Sequence, residues 1–297
     1  MTGVIERNNS ITHENIAGVV VLYNPDVNLL DNIRTYNRSI KKLYVVDNTE
    51  VPSNVLIDSM LLEFDNIEYI PFNQNQGIAK ALNVAAFKAL EAGFEWLLTM
   101  DQDSQASEGM IEKLIKALEN VSDEKVGIIA PRYILKNEDA KEPSQEIEQV
   151  YVAITSGSLL NLQAFHEVGP FREDFFIDYV DHEFCLRLRL NNFKTLIDNK
   201  VVLYHELGDS KSHSILGHKI NSSHHNFIRR YYITRNRLAV IKEYKHIFPY
   251  YYKCERTNNI REFLKVLFFE KDKIKKVRSI FYGNLDYIRK KFGKYSY

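Results

Sequence analysis

Apolar and polar positions follow two rhythms along the first half of the chain. Residues 16–23 (IAGVVVLY) are an unbroken apolar run closed by Asn24-Pro25-Asp26, which predicts a buried strand followed by a turn. Leu29, Leu30, Ile33, Tyr36 and Ile40 then recur at helical spacing. A second apolar run, residues 42–47 (KLYVVD), ends in a carboxylate. A short helix over 54–64 leads to a strand at 67–71, a polar loop at 73–77, an alanine-rich helix over 78–92 and a strand at 95–100. This β-α alternation predicts an α/β chain: a mostly parallel, Rossmann-like sheet flanked by helices on both faces.

The second half is less regular. A helix to residue 120, a strand over 126–130 stopped by Pro131 and a charged loop over 136–149 are expected. Thr155-Ser156-Gly157-Ser158 reads as a small-residue turn between short strands, followed by a helix over 181–191 and a strand over 195–205. Residues 210–225 read as a polar, histidine-containing loop, and from residue 226 the pattern turns helical. The expected organisation is a polar extension (1–15), a catalytic body (16–225, with halves 16–107 and 108–225) and a helical, basic C-terminal region (226–297).

Composition narrows the classes. Thirty-nine Lys and Arg balance 39 Asp and Glu, so the whole chain makes no electrostatic case for nucleic acid. The charge is uneven, however: residues 253–297 hold thirteen Lys or Arg against five acids. Mixed with Phe263, Phe268, Ile274, Phe281 and Ile288, that surplus fits a basic amphipathic surface for an anionic membrane over 261–297. It equally fits a helix packed on its own body or across a homodimer. Cys185 and Cys254 form neither a disulfide framework nor a zinc pattern and suit a reducing cytoplasm. The polar N-terminus has no signal-peptide run and no stretch is long enough to span a bilayer, so a cytoplasmic protein, soluble or peripheral on the membrane, is expected.

Chemistry gathers at the strand ends. Trp96 to Met100 is an apolar run that stops at Asp101-Gln102-Asp103, two carboxylates one residue apart. At the carboxyl edge of a parallel sheet they suit a hard cation such as Mg²⁺ or Mn²⁺; as Asp-rich sequence they also suit a plain turn. Three earlier strands also end in polar clusters: Tyr23-Asn24, Asp47-Asn48 and the loop leading to Asn75-Gln76-Gly77. A nucleotide across that edge could stack its base near Tyr23 and bond it to Asp47, with Gly77 admitting a phosphate or ribose. Each cluster, taken alone, is also an ordinary turn or cap.

The ordered series Tyr23-Asn24-Pro25, Val45-Val46-Asp47-Asn48, Asn75-Gln76-Gly77-Ile78-Ala79-Lys80 and Met100-Asp101-Gln102-Asp103-Ser104 resembles the family 2, GT-A-type glycosyltransferases. With Phe176-Ile177-Asp178-Tyr179-Val180-Asp181-His182-Glu183, it is most similar to bacterial rhamnosyltransferases that use dTDP-rhamnose. The resemblance covers about residues 16–240 and implies inverting, metal-assisted transfer to a glycan or lipid-linked acceptor. By it Tyr23, Asn24, Asp47 and Asn48 hold the nucleoside, and Asn75, Gly77 and Lys80 face the nucleotide or its diphosphate. Asp101, Gln102 and Asp103 engage metal and sugar. It makes Asp181 the general base, with Glu183 and Asp178 beside it as further candidates; without it, Asp181 suits a helix N-cap. Ser156, Gly157 and Ser158 line the acceptor side, His205 approaches the metal and Arg235 reaches a diphosphate or, alternatively, is exposed on a helix that packs through its tyrosines. A UDP-hexose donor on the same fold, a nucleotidyltransferase and a non-catalytic nucleotide-sugar-binding protein are the competing readings. The nucleotidyltransferase lacks its Gly-rich loop after the first strand.

Overall fold

Strand β1 (Ile16–Leu22) sorts its side chains by the two-residue period of an extended chain: Ala17 and Val19 enter the core on one face of the sheet, Ile16, Val20 and Leu22 the core on the other. The strand is apolar throughout because both faces are covered. The computed structural model describes residues 11–121, 125–135, 145–205, 210–215, 218–223 and 225–296.

Three more strands, β2 (Lys42–Asp47), β3 (Ile67–Pro71) and β4 (Trp96–Asp101), join β1 in parallel in the order β3-β2-β1-β4. Between them run α1 (Leu29–Arg34), α2 (Asn54–Glu63) and α3 (Ile78–Glu91). Ala79, Ala81, Ala85, Ala86 and Ala89 let α3 lie close on the sheet, each fully buried. A short β5 (Ser104–Ala106), α4 (Met110–Asn120), β6 (Val126–Leu135), β7 (Ile147–Gln149), β8 (Ser158–Asn161), α5 (Leu162–Val168), α6 (Val180–Leu190) and β9 (Lys194–His205) complete the body. Here the expectation of parallel pairing changes: β8 enters antiparallel to both β4 and β6, and β5 and β7 pair antiparallel with β9. The result is a mixed sheet flanked by helices.

Pro131 does not stop its strand. β6 continues to Leu135, and the lost ladder donor is taken up by a register shift against β9 between Pro131 and Arg132. Of the short strands expected on either side of the 155–158 turn only β8 is seen among the described residues, and residues 147–149 of the expected charged loop are a strand, while 136–144 lie outside the described residues. The polar stretch expected as a loop forms an antiparallel hairpin, β10 (Ser210–Ile215) with β11 (His218–Ser223).

The C-terminal helices are α7 (Phe227–Tyr244), α8 (Pro249–Phe269) and α9 (Lys273–Ile288). α9 packs on α7 through Gly283, where a Cβ would meet the Tyr231 carbonyl oxygen at 2.7 Å, and the Tyr231 hydroxyl donates to Asp286 (2.7 Å). Arg230 of α7 and Lys276 of α9 both pair with the fully buried Glu270. Much of the 261–297 segment therefore packs on the body, while Ile274, Phe281 and Ile288 remain exposed. No helix among the described residues is long and apolar enough to cross a membrane.

Candidate active site

In register, Leu22 lies beside Asp47 and Val21 beside Asp101, so β1, β2 and β4 deliver their C-terminal residues to one edge. Side-chain to backbone hydrogen bonds then shape that edge. The Tyr23 amide donates to Gln102 Oε1 (2.8 Å) and Gln102 Nε2 donates back to the Tyr23 carbonyl (3.2 Å). Asn48 accepts from the Gln76 amide (2.9 Å) and donates to the Gly77 carbonyl (3.3 Å), while Asn75 accepts from the Gly77 amide (3.0 Å). Gly77 has φ +87°, and a Cβ there would stand 2.5 Å from the Phe176 carbonyl oxygen, so glycine is required twice over.

A tight turn over 176–179 forms the other wall. Phe176, Asp178 and Tyr179 all have φ between +62° and +67°, a conformation costly for residues with side chains. What holds it is α7. Asn236 Nδ2 donates to the carbonyls of Phe175, Ile177 and Asp178, each at 2.9 Å, and the fully buried Arg235 donates to those of Phe175 (3.1 Å) and Asp174 (3.3 Å). Asp178 pairs with Arg229 (3.1 Å), and its Oδ2 is buried with no hydrogen-bond partner among the described residues. Burial outweighs Arg229 and raises the Asp178 pKa. Asp181 is the second residue of α6 rather than its cap, which is Tyr179; its Oδ1 accepts from the His182 amide (2.8 Å). His182 Nδ1 contacts the Tyr251 hydroxyl at 2.7 Å.

Between the walls lies a cavity of about 870 Å³. It brings together nine of the expected residues: Tyr23, Asn48, Asn75, Gly77, Asp101, Gln102 and Asp103 from the sheet edge, and Asp178 and Asp181 from the turn and α6. Others are directed elsewhere. Asp47 is buried, capping the Thr49 amide (2.8 Å) and accepting from the Tyr69 hydroxyl (2.8 Å), and Asn24 is exposed with its amide on Thr49 Oγ1 (2.9 Å). Lys80 pairs with Glu173 at 3.2 Å. Glu183 is buried in a two-pronged pair with Arg187 and accepts from Tyr244. Ser156, Gly157 and Ser158 lie beneath the wall: Ser156 Oγ accepts from the Asp101 amide (3.1 Å), and the Gly157 amide donates to the Thr99 carbonyl (2.7 Å). Arg235 spends its guanidinium on the turn and is fully buried, rather than exposed on a helix that packs through its tyrosines. The backbone of His205 pairs with Ser104; its side chain, residues 206–209 and the side chains of His213, His218 and His224 lie outside the described residues.

The cavity also recruits residues that received no site role from sequence, among them His182, His225, Arg229, Arg237 and Glu255. Arg237 is buried between the Tyr179 hydroxyl, Glu255 (3.4 Å) and Glu262 (3.0 Å). His225 is pushed down to about 3 by burial and by Arg229, Arg230 and Lys276, so it is neutral at ordinary pH. Arg229 carried a signal, being part of the Arg229-Arg230 pair that opens α7; α8 carried none, because its apolar and polar residues show no clear facial separation.

Asp101 and Asp103 supply hard oxygen donors to the cavity wall. Burial, with the charges of Asp103 and Asp101 added, raises the Tyr133 phenol to about 12. Among the described residues no three His, Cys, Asp or Glu side chains converge as a metal cluster. Two carboxylates still fit a Mg²⁺-type ion, which takes one or two protein carboxylates and fills its shell with water and substrate phosphates.

The model of the family described as glycosyl transferase family 2 matches residues 19–193. The chain belongs to that family. It is a glycosyltransferase, 31% identical over 252 residues to the dTDP-rhamnosyl transferase RfbF of Shigella flexneri, covering 78% of this chain and 81% of that one. Among solved structures, the GT-A resemblance extends to Staphylococcus aureus TarS 1-349 in complex with UDP-GlcNAc. That match has TM-score 0.57 and 14% identity, over 93% of this chain and 81% of that one. It extends also to GalNAc-T7 with UDP, GalNAc and Mn²⁺, at TM-score 0.55 and 11% identity over 68% of this chain; the match spans 44% of the GalNAc-T7 chain. At such identities these two structures establish the fold alone.

Proposed function

We propose that this family 2 enzyme is an inverting rhamnosyltransferase that moves L-rhamnose from dTDP-rhamnose to a hydroxyl of a cell-surface glycan or a lipid-linked acceptor. The observation carrying the reading is the shared cavity: Asp101 and Asp103 at the sheet edge, Asp181 at the start of α6. The likeness to a dTDP-rhamnosyl transferase supports the donor. Tyr23, Asn48, Asn75 and Gly77 bind the thymine and its deoxyribose. Asp181 takes the acceptor proton as the hydroxyl oxygen attacks the anomeric carbon; the bond to the diphosphate breaks and its electron pair leaves with dTDP. Asp101 and Asp103 would hold a divalent cation, Mg²⁺ or Mn²⁺, which when bound neutralises charge on the departing diphosphate. Asp178, paired with Arg229, lines the same cavity beside Asp181.

The reading extends to a membrane surface. Ile274, Phe281 and Ile288 repeat every seven residues along α9 and stay exposed among Lys273, Lys275, Arg278 and Arg289, which suits anionic lipid. Replacing the three apolar residues by serine is expected to abolish flotation with anionic liposomes; undiminished flotation overturns this extension alone.

A donor screen tests the central reading. The chain is incubated with a divalent cation, a panel of nucleotide sugars and glycan acceptors, and products are weighed by mass spectrometry. Preferred use of dTDP-rhamnose is expected. Preference for a UDP-hexose overturns the donor assignment, and inactivity with every donor overturns catalysis.

A further inference from the structure

We propose that the C-terminal segment 292–295 is a working part of the donor wall, with Lys294 as a positioning residue that shapes the nucleotide loop. This rests on the reading that the 75–77 loop binds the nucleotide.

After α9 the chain turns back at Gly293, whose φ is +91°. It then fastens onto both walls. The Gly293 amide donates to the Asp174 carbonyl (2.7 Å), and Arg235, already holding the turn, donates to the Gly293 carbonyl (2.8 Å). The Phe292 ring stacks on Phe175 (6.1 Å, 17°) with the Arg235 guanidinium 5.2 Å from its centre. The Tyr295 amide donates to the Tyr232 hydroxyl (2.6 Å), and Tyr232 itself stacks on Phe176 (5.3 Å, 17°). Lys294 then crosses to the sheet edge: its Nζ donates to the Asn75 carbonyl (3.2 Å) and lies 6.0 Å from the Phe176 ring centre.

The loop over 75–77 is therefore held from three directions. Asn48 grips it from β2, the Phe176 carbonyl accepts the Ile78 amide (2.8 Å) from the turn, and Lys294 holds it from the C-terminus. A loop fixed before the ligand arrives spends less binding energy on ordering itself. Lys294 is exposed, and an exposed contact of this kind adds little to global stability. That separates positioning from folding: its loss should be felt in donor affinity and not in melting.

The experiment uses the full chain with Lys294→Ala, Lys294→Arg and Phe292→Ala. dTDP binding is measured by calorimetry, together with donor and acceptor KM, kcat and the melting temperature. Lys294→Ala is expected to weaken dTDP binding and raise donor KM about 3- to 10-fold, the scale of one ordinary hydrogen bond. Acceptor KM, kcat and melting stay near those of the unmodified chain, and Lys294→Arg recovers most of the affinity. Phe292→Ala weakens dTDP binding further and lowers the melting temperature. Unchanged dTDP affinity in Lys294→Ala, with the unmodified chain binding dTDP, overturns the inference and leaves the donor site standing. An unmodified chain that binds no nucleoside diphosphate overturns the donor site and this inference together.

Discussion

The wall that carries Asp101 and Asp103 is built from strand ends, whereas the wall that carries Asp178 and Asp181 is built from a tight turn held by helices remote in sequence. On the first, parallel register brings β1, β2 and β4 to a common edge, and Asn48, Asn75 and Gln102 tie neighbouring loops together. On the second, three non-glycine departures from ordinary backbone geometry within four residues depend on Arg235 and Asn236 of α7. Strand ends place donor-side groups cheaply and by repetition. The turn is costly and needs dedicated partners, as expected where a group must be aimed at a reacting atom.

That contrast can be broken or sharpened by substitution. The largest effect is expected on the turn side: Asp181→Asn should cut transfer about 10²- to 10⁴-fold, the range of a lost general base, while dTDP affinity stays within a few fold. Steady-state kinetics beside calorimetry checks it, and near-normal transfer would move the base to another residue. Next comes Asn236→Leu, which removes three hydrogen bonds from the turn and is expected to cost about 2–4 kcal/mol in urea unfolding. A cost below 0.5 kcal/mol, the usual ceiling for an inert surface change, would show that the turn holds itself.

Gly77→Ala tests where the two walls meet. With φ +87° and the Phe176 carbonyl oxygen 2.5 Å from the new Cβ, a loss of about 1–3 kcal/mol is expected, together with a higher donor KM. The pH dependence on the turn side follows from His225, whose folded pKa of about 3 lies below its ordinary 6.5. The folded state resists protonation there, so this contribution is whole above pH 6.5 and declines as the pH falls towards 3. His225→Phe should flatten stability against pH over that window in chemical unfolding; an unchanged slope would assign the acid sensitivity elsewhere. The smallest effect belongs to the sheet side: Lys80→Ala breaks a partly exposed pair with Glu173 and should cost less than about 1 kcal/mol. A donor KM more than about tenfold higher would mean that Lys80 leaves Glu173 for the diphosphate.

The same contrast decides what could be read from sequence. Apolar runs ending in Tyr23, Asp47 and Asp101 announce buried parallel strands, and parallel strands share an edge, so the donor side follows from local pattern. Asp47 shows the limit of that logic: it sits at the right strand end, yet its carboxylate turns inward to Thr49 and Tyr69. Arg235 and Glu183 fail for a related reason. A charged side chain in a suggestive motif can be spent on buried carbonyls or an ion pair, and only tertiary packing reveals which. Arg237 and Glu255 meet at the cavity because α8 folds back over α7, an arrangement with no local signature. Pro131 misled in the opposite sense, since a register shift lets β6 continue past it.

The most direct test of a cavity divided into a donor wall and an acceptor wall is a crystal structure of the chain soaked with dTDP and Mg²⁺. The account predicts the base beside Tyr23 and Asn48 and the diphosphate against Asp101 and Asp103, with Asp181 facing open space. Nucleotide bound instead among Arg237, Glu255 and α8 would contradict it.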